Sequence, residues 1–278
     1  MSDDNDKISV FGAGFIGGRF VGLNKKDCIV IERNSVVPES GNILYLISTT
    51  DNYNVFTDPH KDIDTNLNHL ISVLQNCKPG DTFNFVSSWF VYGEVNLPVR
   101  ETAYCNPKGF YSITKRAAEQ LLISYCETFK INYRIFRLCN VLGKSDLHVS
   151  KKKNALQYLI GKLKNNEDIE LYFKGDFYRD YMYVDDVCNA IKHCMDNSSQ
   201  NEIINIGSGK KVKFYDLIEY CKTKLNSNSK ISSMDQPEFH KLAQVRDMYL
   251  DVSKLSGFGF VPDFDIWKTL DILCDVKE

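Results

Sequence analysis

No run of apolar residues in this chain approaches the ~18 that a membrane-spanning helix needs. There is no surplus of positive charge either. The formal net charge is −2, which gives no electrostatic case for nucleic acid as a partner. Lys151-Lys152-Lys153 is the one notable basic run and reads as a solvated face. Nine cysteines are present, but none stands in CxxC spacing, so neither a zinc site nor a disulfide framework is indicated. An odd number of scattered thiols fits a reducing compartment. The opening residues, MSDDNDK, are acidic and polar and do not form a signal peptide. No internal repeat and no long linker is visible. These absences predict a soluble, cytoplasmic protein with no metal, membrane or nucleic-acid partner.

What is present is ordinary for a globular chain. The 278 residues are 43% hydrophobic and 25% charged, enough for one large domain or two coupled ones. Ile8 to Phe11 reads as a short buried strand, followed by a glycine turn and a helix. CIVIER and NILYLIST are further strands, the latter continuous and apolar as a parallel strand covered on both faces should be. Asp62 to Leu74 carries apolar residues at helical spacing. TFNFVSS is a strand that runs into WFVYG. Tyr111 to Phe129 is a long helix, and YRIFRLCNV another strand. This alternation predicts an α/β fold with a doubly wound parallel sheet. After Gly143 the pattern loosens into a smaller α/β region. The expected division is 1–143 plus 179–207 for a dinucleotide-binding domain, and 144–178 plus 208–278 for a substrate-binding region.

Three local features carry chemistry. Gly12, Gly14 and Gly17 form GxGxxG directly after a strand and before a helix. Glycines there permit a tight turn and a close approach of backbone N–H groups to a pyrophosphate, and the helix N-terminus adds positive potential. Glu32 ends the second strand, where a carboxylate accepts the adenosine ribose hydroxyls of NAD. Arg33 follows at once and suits a 2′-phosphate, so NADP is not excluded. Ser87 and Ser88 end a parallel strand, where ligands bind in such sheets, and the sequence does not choose between them. Tyr111 and Lys115, at i and i+4, share one helix face. A neighbouring ammonium favours tyrosinate over a phenol of pKa ~10, which makes the tyrosine a usable proton acceptor.

The order GAGFIGG, SSWFVYG, YSITK, RLCNVLG, RDYMYVDD, NIGSG resembles the extended short-chain dehydrogenase/reductase family, in its NAD-dependent nucleotide-sugar epimerase/dehydratase branch. The resemblance covers nearly the whole chain and implies a Rossmann-type domain. It implies Tyr111 as acid/base, Lys115 as its electrostatic partner and a ribose ligand, and Ser88, four before Tyr92, as hydroxyl donor. It also implies a cofactor site made of Gly12, Gly14, Phe15, Ile16, Gly17, Glu32, Arg33, Ile47, Ser48, Asn66 and Lys115. Trp89, Phe90, Asn140 and Arg179 would meet the nucleotide sugar. Arg179 has a bland alternative as half of a structural pair with Asp180 or Asp186, and Asn140 as a loop-structuring residue. Cys105 and His148 are given structural roles. Family members often form homodimers, here through Ile63, Leu67, Leu70, Leu121, Leu122 and Tyr125.

Departures from the family narrow the reaction. Nucleotide-sugar 4,6-dehydratases carry Asp-Glu after the catalytic hydroxyl, whereas Trp89 and Phe90 stand here. UDP-glucuronate decarboxylases place a glutamate, and GDP-fucose synthases a cysteine, where this chain has Phe90. What remains is a nucleotide-sugar epimerase acting at C4 or a 4-keto-sugar reductase, with a non-catalytic nucleotide-binding scaffold as the reading from another class. Last, only about ten residues, Asn34 to Asn42, join the second strand to the next. A parallel crossover needs a dozen or more, so one strand-helix unit should be missing from that edge of the sheet.

Overall fold

A six-stranded, wholly parallel sheet forms the centre of the computed structural model, which describes residues 7–50, 52–146, 149–150 and 153–275. His148 and two lysines of the basic run lie outside the described residues. In chain order the first strands are β1 (Ile8–Phe11), β2 (Cys28–Val30), β3 (Asn42–Tyr45), β4 (Thr82–Ser88) and β5 (Asn132–Leu138). Three short pairs follow: β6 (Asn140–Leu142) with β9 (Tyr181–Tyr183), β7 (Ile169–Tyr172) with β12 (Ile231–Met234), and β8 (Tyr178–Arg179) with β11 (Val212–Lys213). β10 (Glu202–Ile206) completes the main sheet, whose spatial order is β10-β5-β4-β3-β1-β2.

The helices are α1 (Phe15–Leu23), α2 (His60–Ile63), α3 (His69–Leu74), α4 (Phe110–Phe129) and α5 (Ala155–Lys164) in the first part of the chain. α6 (Val184–Asn197), α7 (Phe214–Lys224), α8 (Glu238–Ala243), α9 (Ser253–Gly257) and α10 (Ile266–Cys274) follow.

Strand alternation sends successive side chains of β4 to opposite layers. Phe83 and Phe85 pack with Ala118 and Leu122 of α4, while Val86 packs with Val187 and Ile191 of α6. The sheet is therefore covered on both faces, which is why its strands are so apolar. A third apolar cluster joins α5, α7 and α10 around Leu163, Leu217 and Leu270. Met248, Leu250 and Leu255, which the sequence division put in the second region, instead fill the sheet's own core beside Ile204 and Ile206. Their apolar spacing continues that core after the chain returns to it.

β2 closes one edge of the sheet, next to β1, with β1 itself followed by β3. No strand lies outside β2 among the described residues, as the short bridge requires. That bridge folds back on β1: the Ser9 hydroxyl accepts from the backbone N–H of Glu39 at 3.0 Å and of Ser40 at 2.8 Å.

The helix expected over Asp62–Leu74 is broken. A π-helical turn at Asp64–Asn68 separates α2 from α3, with the N–H of His69 bonded to the carbonyl of Asp64. Such turns usually mark a side chain with a special task, and Asn66 sits in the middle of this one. The dimer face expected on this layer is also divided. Leu70 and Leu122 are fully buried in the core, and Leu121 is exposed.

Candidate active site

The glycine turn between β1 and α1 is shaped by three different constraints. Gly12 has φ +91°, and a Cβ there would meet the Ile47 backbone nitrogen at 2.9 Å. A Cβ on Gly17 would meet the Gly12 carbonyl oxygen at 2.1 Å, so α1 packs hard on the turn. Gly14 faces the other way, with nothing within 4 Å of the place a side chain would start. A closed turn with one open glycine at a helix N-terminus fits a pyrophosphate. Phe15 and Ile16 turn their side chains into the core, so backbone N–H groups are what they have to offer a ligand. Glu32 and Arg33 are both exposed just beyond β2.

Two residues expected against the cofactor are spent inside the protein. The Asn66 carbonyl oxygen accepts from the Thr49 N–H at 2.9 Å and from the Ser48 hydroxyl at 3.1 Å. Its amide donates to Thr49 Oγ1 at 2.8 Å and to Thr114 Oγ1 at 2.9 Å. That fills the hydrogen-bonding capacity of the amide. Asn66 is a pin that fastens the segment after β3 to α4, and the Ser48 hydroxyl proton is shared between Asn66 and the Thr49 carbonyl. Ile47 packs on the core beside the turn.

The two serines at the end of β4 have different surroundings. Ser87 Oγ donates to Glu119 Oε1 at 2.6 Å and is buried. Ser88 remains half-buried at the strand end, where its side chain accepts from the N–H of Phe90 and caps the short 3₁₀ turn Trp89–Val91. The rings of Trp89 and Phe90 stack, 3.9 Å apart at 23°. The Phe90 ring in turn meets Tyr111 nearly edge-on, centroids 5.9 Å apart.

Tyr111 lies in the first turn of α4. That turn is held by Ser112, whose hydroxyl accepts from the N–H of Gly109 at 3.0 Å, and by Asn52, whose side-chain oxygen accepts from the N–H of Ser112. A Cβ on Gly109 would collide with that oxygen at 2.1 Å. Lys115 follows one turn later and is buried. Its Nζ donates to the Val86 carbonyl at 2.8 Å and lies 4.1 Å from the centre of the Phe85 ring. Loss of hydration brings its pKa down to about 7, against the attraction of Glu119.

Beneath this sits a buried ionic cluster. Glu119 accepts from Arg137 Nε at 3.0 Å and Nη2 at 2.7 Å, and from Arg116 Nη1 at 2.8 Å. Burial pushes its carboxyl pKa up, but the two guanidinium groups and Ser87 outweigh this and hold it below the usual range.

In front of the helix opens a cleft of about 480 Å³. Trp89, Phe90, Gly93, Lys108 and Ser112 line its inner end, beside Tyr111. Lys241, Gln244, Val245 and Arg246 line its outer wall. Arg246 is anchored by Asp176, 2.9 Å to the carboxylate. None of Lys108, Lys241 or Arg246 stands in a motif that the sequence alone singles out, and Ser112 lies within YSITK without a role of its own there. Lys108 and Ser112 flank Tyr111 closely enough to be suspected, but residues 236–246 carry no local signal.

Arg179 and Asn140 take structural partners. The Arg179 guanidinium donates to three backbone carbonyls, those of Tyr178, Val245 and Arg246. It also lies over the rings of Phe177 and Trp89. Neither Asp180 nor Asp186 is its partner. Asp180 is taken up by Ser208 and the backbone of Gly209 and Leu250, and Asp186 by the backbone of Asp263 and Phe264. Arg179 thus ties the outer wall to the aromatic floor, while Arg246 presents the nearby cation to the cleft. The Asn140 side chain donates to the Asp180 carbonyl at 2.9 Å and stitches β6 to β9.

Residues 41–207 match the model of the NAD dependent epimerase/dehydratase family. A Methanocaldococcus jannaschii protein provisionally named as a UDP-glucose 4-epimerase is 30% identical over 217 residues, 77% of this chain and 69% of that protein. The GDP-6-deoxy-D-mannose reductase of Pseudomonas aeruginosa is 27% identical over 185 residues, 64% of this chain and 60% of the reductase. The crystal structure of UDP-glucuronic acid 4-epimerase from Bacillus cereus, in complex with UDP-glucuronic acid and NAD, superposes with a TM-score of 0.86. It is 20% identical and covers 97% of this chain and 98% of that one.

Proposed function

Because the chain belongs to the NAD dependent epimerase/dehydratase family, we propose that it is a nucleotide-sugar epimerase that works at C4 with a nicotinamide cofactor, NAD in preference to NADP. The observation that carries this reading is the cleft. One wall offers the cations Lys241 and Arg246 for a diphosphate, and the inner end offers Trp89, Phe90 and Ser112 beside Tyr111.

Gly12, Gly14 and Gly17 would hold the cofactor pyrophosphate, Glu32 the adenosine ribose, and Lys115 the other ribose. Bound there, the nicotinamide supplies the acceptor for a hydride and its return. The chain's own groups handle the proton. Tyr111 takes it from the C4 hydroxyl and gives it back. A charged Lys115 one turn away favours the phenolate that does so. The Ser88 hydroxyl donates to the same sugar oxygen. The stacked Trp89–Phe90 pair covers this end of the cleft and keeps water from the transferred proton. Trp89 and Phe90 supply no carboxylic acid to expel a 6-hydroxyl, which argues against dehydration.

One observation favours a second reading, a 4-keto-sugar reductase. The same stacked pair borders the cleft where a keto sugar would have to turn, and a reductase needs no turn. Incubation with UDP-, GDP-, dTDP- and CDP-sugars followed by NMR of the products tests both. An epimerase interconverts sugars without net use of cofactor; a reductase consumes reduced cofactor one for one. Failure to bind either NAD or NADPH would leave the scaffold reading. A homodimer through the Leu121 side of α4 belongs to the same proposal and is checked by sedimentation.

A further inference from the structure

Ser87 and Glu119 lie one layer below the groups just assigned, and neither faces the cleft. Their connection is nevertheless specific. The Glu119 carboxylate accepts four bonds, from Ser87, Arg116 and twice from Arg137. Four is the full capacity of a carboxylate, and at 0% exposure the group has no water to exchange them with.

These bonds link three elements. Glu119 belongs to α4, Ser87 to β4 and Arg137 to β5. Arg137 reaches on to the Glu101 carbonyl at 3.1 Å and lies over the Tyr92 ring. The grip on β4 is doubled one residue earlier, where Lys115 holds the Val86 carbonyl. Two side chains one helical turn apart on α4 thus hold two consecutive residues of β4. The next residue of the strand is Ser88.

We propose that Glu119 is a positioning residue: through Ser87 it fixes the end of β4 against α4, and so sets where the Ser88 hydroxyl stands relative to Tyr111. This rests on the role given to Ser88 above. The Lys115 rung is soft for this purpose, because the same ammonium is assigned to the cofactor ribose and to Tyr111. The Ser87 rung has no second task. A strand end shifted by a fraction of an ångström would misdirect the Ser88 hydroxyl, and misplacement on the scale of 1 Å costs up to ~100-fold in rate. Ion pairing with Arg137 alone would stabilise the fold, and an apolar pair would serve that end as well. A directional bond to the residue before Ser88 is what an apolar pair would lack.

The test is a cycle of Ser87→Ala, Ser88→Ala and the double variant, with crystal structures of the wild type and of Ser87→Ala. In Ser87→Ala the ion pairs of Glu119 remain, so the fold is retained. The Ser88 Oγ to Tyr111 Oη separation should change by about 0.5 Å or more, and kcat on the panel sugar that is turned over should fall about tenfold. KM and NADH affinity should be unmoved. In the Ser88→Ala background the same change should cost nothing further, because the hydroxyl it places is gone. An unchanged separation overturns the proposal whatever the substrate. So does a Ser87→Ala loss that multiplies with that of Ser88→Ala. If Ser88→Ala itself leaves kcat at the wild-type level, it is the role of Ser88, not the tie, that fails.

Discussion

The platform under Tyr111 and the outer wall of the cleft are built on opposite principles. The platform is dry. Lys115, Glu119 and Arg137 are each at most 2% exposed, and they are held by other buried groups, by backbone and, at Glu119, by the part-buried Arg116. The outer wall is wet. Lys241 and Arg246 are exposed and ion-paired with the surface acids Glu238 and Asp176. Exposed pairs of that kind contribute little to stability, whereas a buried charge stripped of its partner is costly. On the proposed function, chemistry common to many substrates would be set in the part that tolerates least change, and recognition of one substrate in the part that tolerates most.

The largest effect should come from Tyr111→Phe. Turnover of any active nucleotide sugar should fall about 10³-fold with NADH affinity kept, because acid/base catalysis of this kind supplies ~10²–10⁴. Activity near the wild-type level would remove Tyr111 from its role. Next, Arg137→Met should cost about 3–5 kcal/mol of stability, since it leaves the Glu119 anion buried against Arg116 and Ser87 alone. Urea unfolding measures this, and a loss within 1 kcal/mol would show the platform to be as tolerant as the wall.

Lys115→Met sharpens the contrast from the other side. Its folded pKa of about 7 lies below the ordinary lysine value of 10.5. Charging it in the folded state is thus penalised in full below pH 7, and the penalty fades as pH rises from 7 to 10.5. Removing the amine should therefore raise Tm by about 5 °C more at pH 6 than at pH 9.5, while activity is lost. A Tm difference independent of pH would mean that the amine carries no such burden. On the wall, Arg246→Ala should raise KM for the nucleotide sugar about tenfold, as loss of a charged hydrogen bond does, with kcat within about twofold and Tm unmoved. A fall in kcat with KM intact would transfer Arg246 to the reacting end.

How much of this was legible in the sequence follows the same division. The glycine turn, the strand-end serines and the Tyr111/Lys115 pair are each made by residues close in the chain, so spacing alone exposes them. The missing edge strand was legible too, because chain length limits what about ten residues can build. The choice of Ser88 over Ser87 came only through the family resemblance, since the bond that occupies Ser87 comes from Glu119, 32 residues away. Asn66 looked like a cofactor contact because its four bonds within the protein have no sequence signature. Arg179 stood in a motif and Arg246 did not, yet they touch through the Arg246 carbonyl, and it is Arg246 that lines the cleft. The outer wall comes from a stretch more than 120 residues beyond Tyr111, and only folding brings it to the cleft.

The short bridge between β2 and β3 bears on time as well as on shape. An epimerase gets its hydride back in every cycle and has no need to release the cofactor. A reductase must exchange it after each turnover. A cofactor half trimmed by one strand-helix unit has less protein with which to enclose the adenine, and losses of contact are felt mainly in the rate of departure. On the proposed function, a dwell time of the cofactor set at this edge of the sheet would govern how many turnovers one bound nicotinamide can serve.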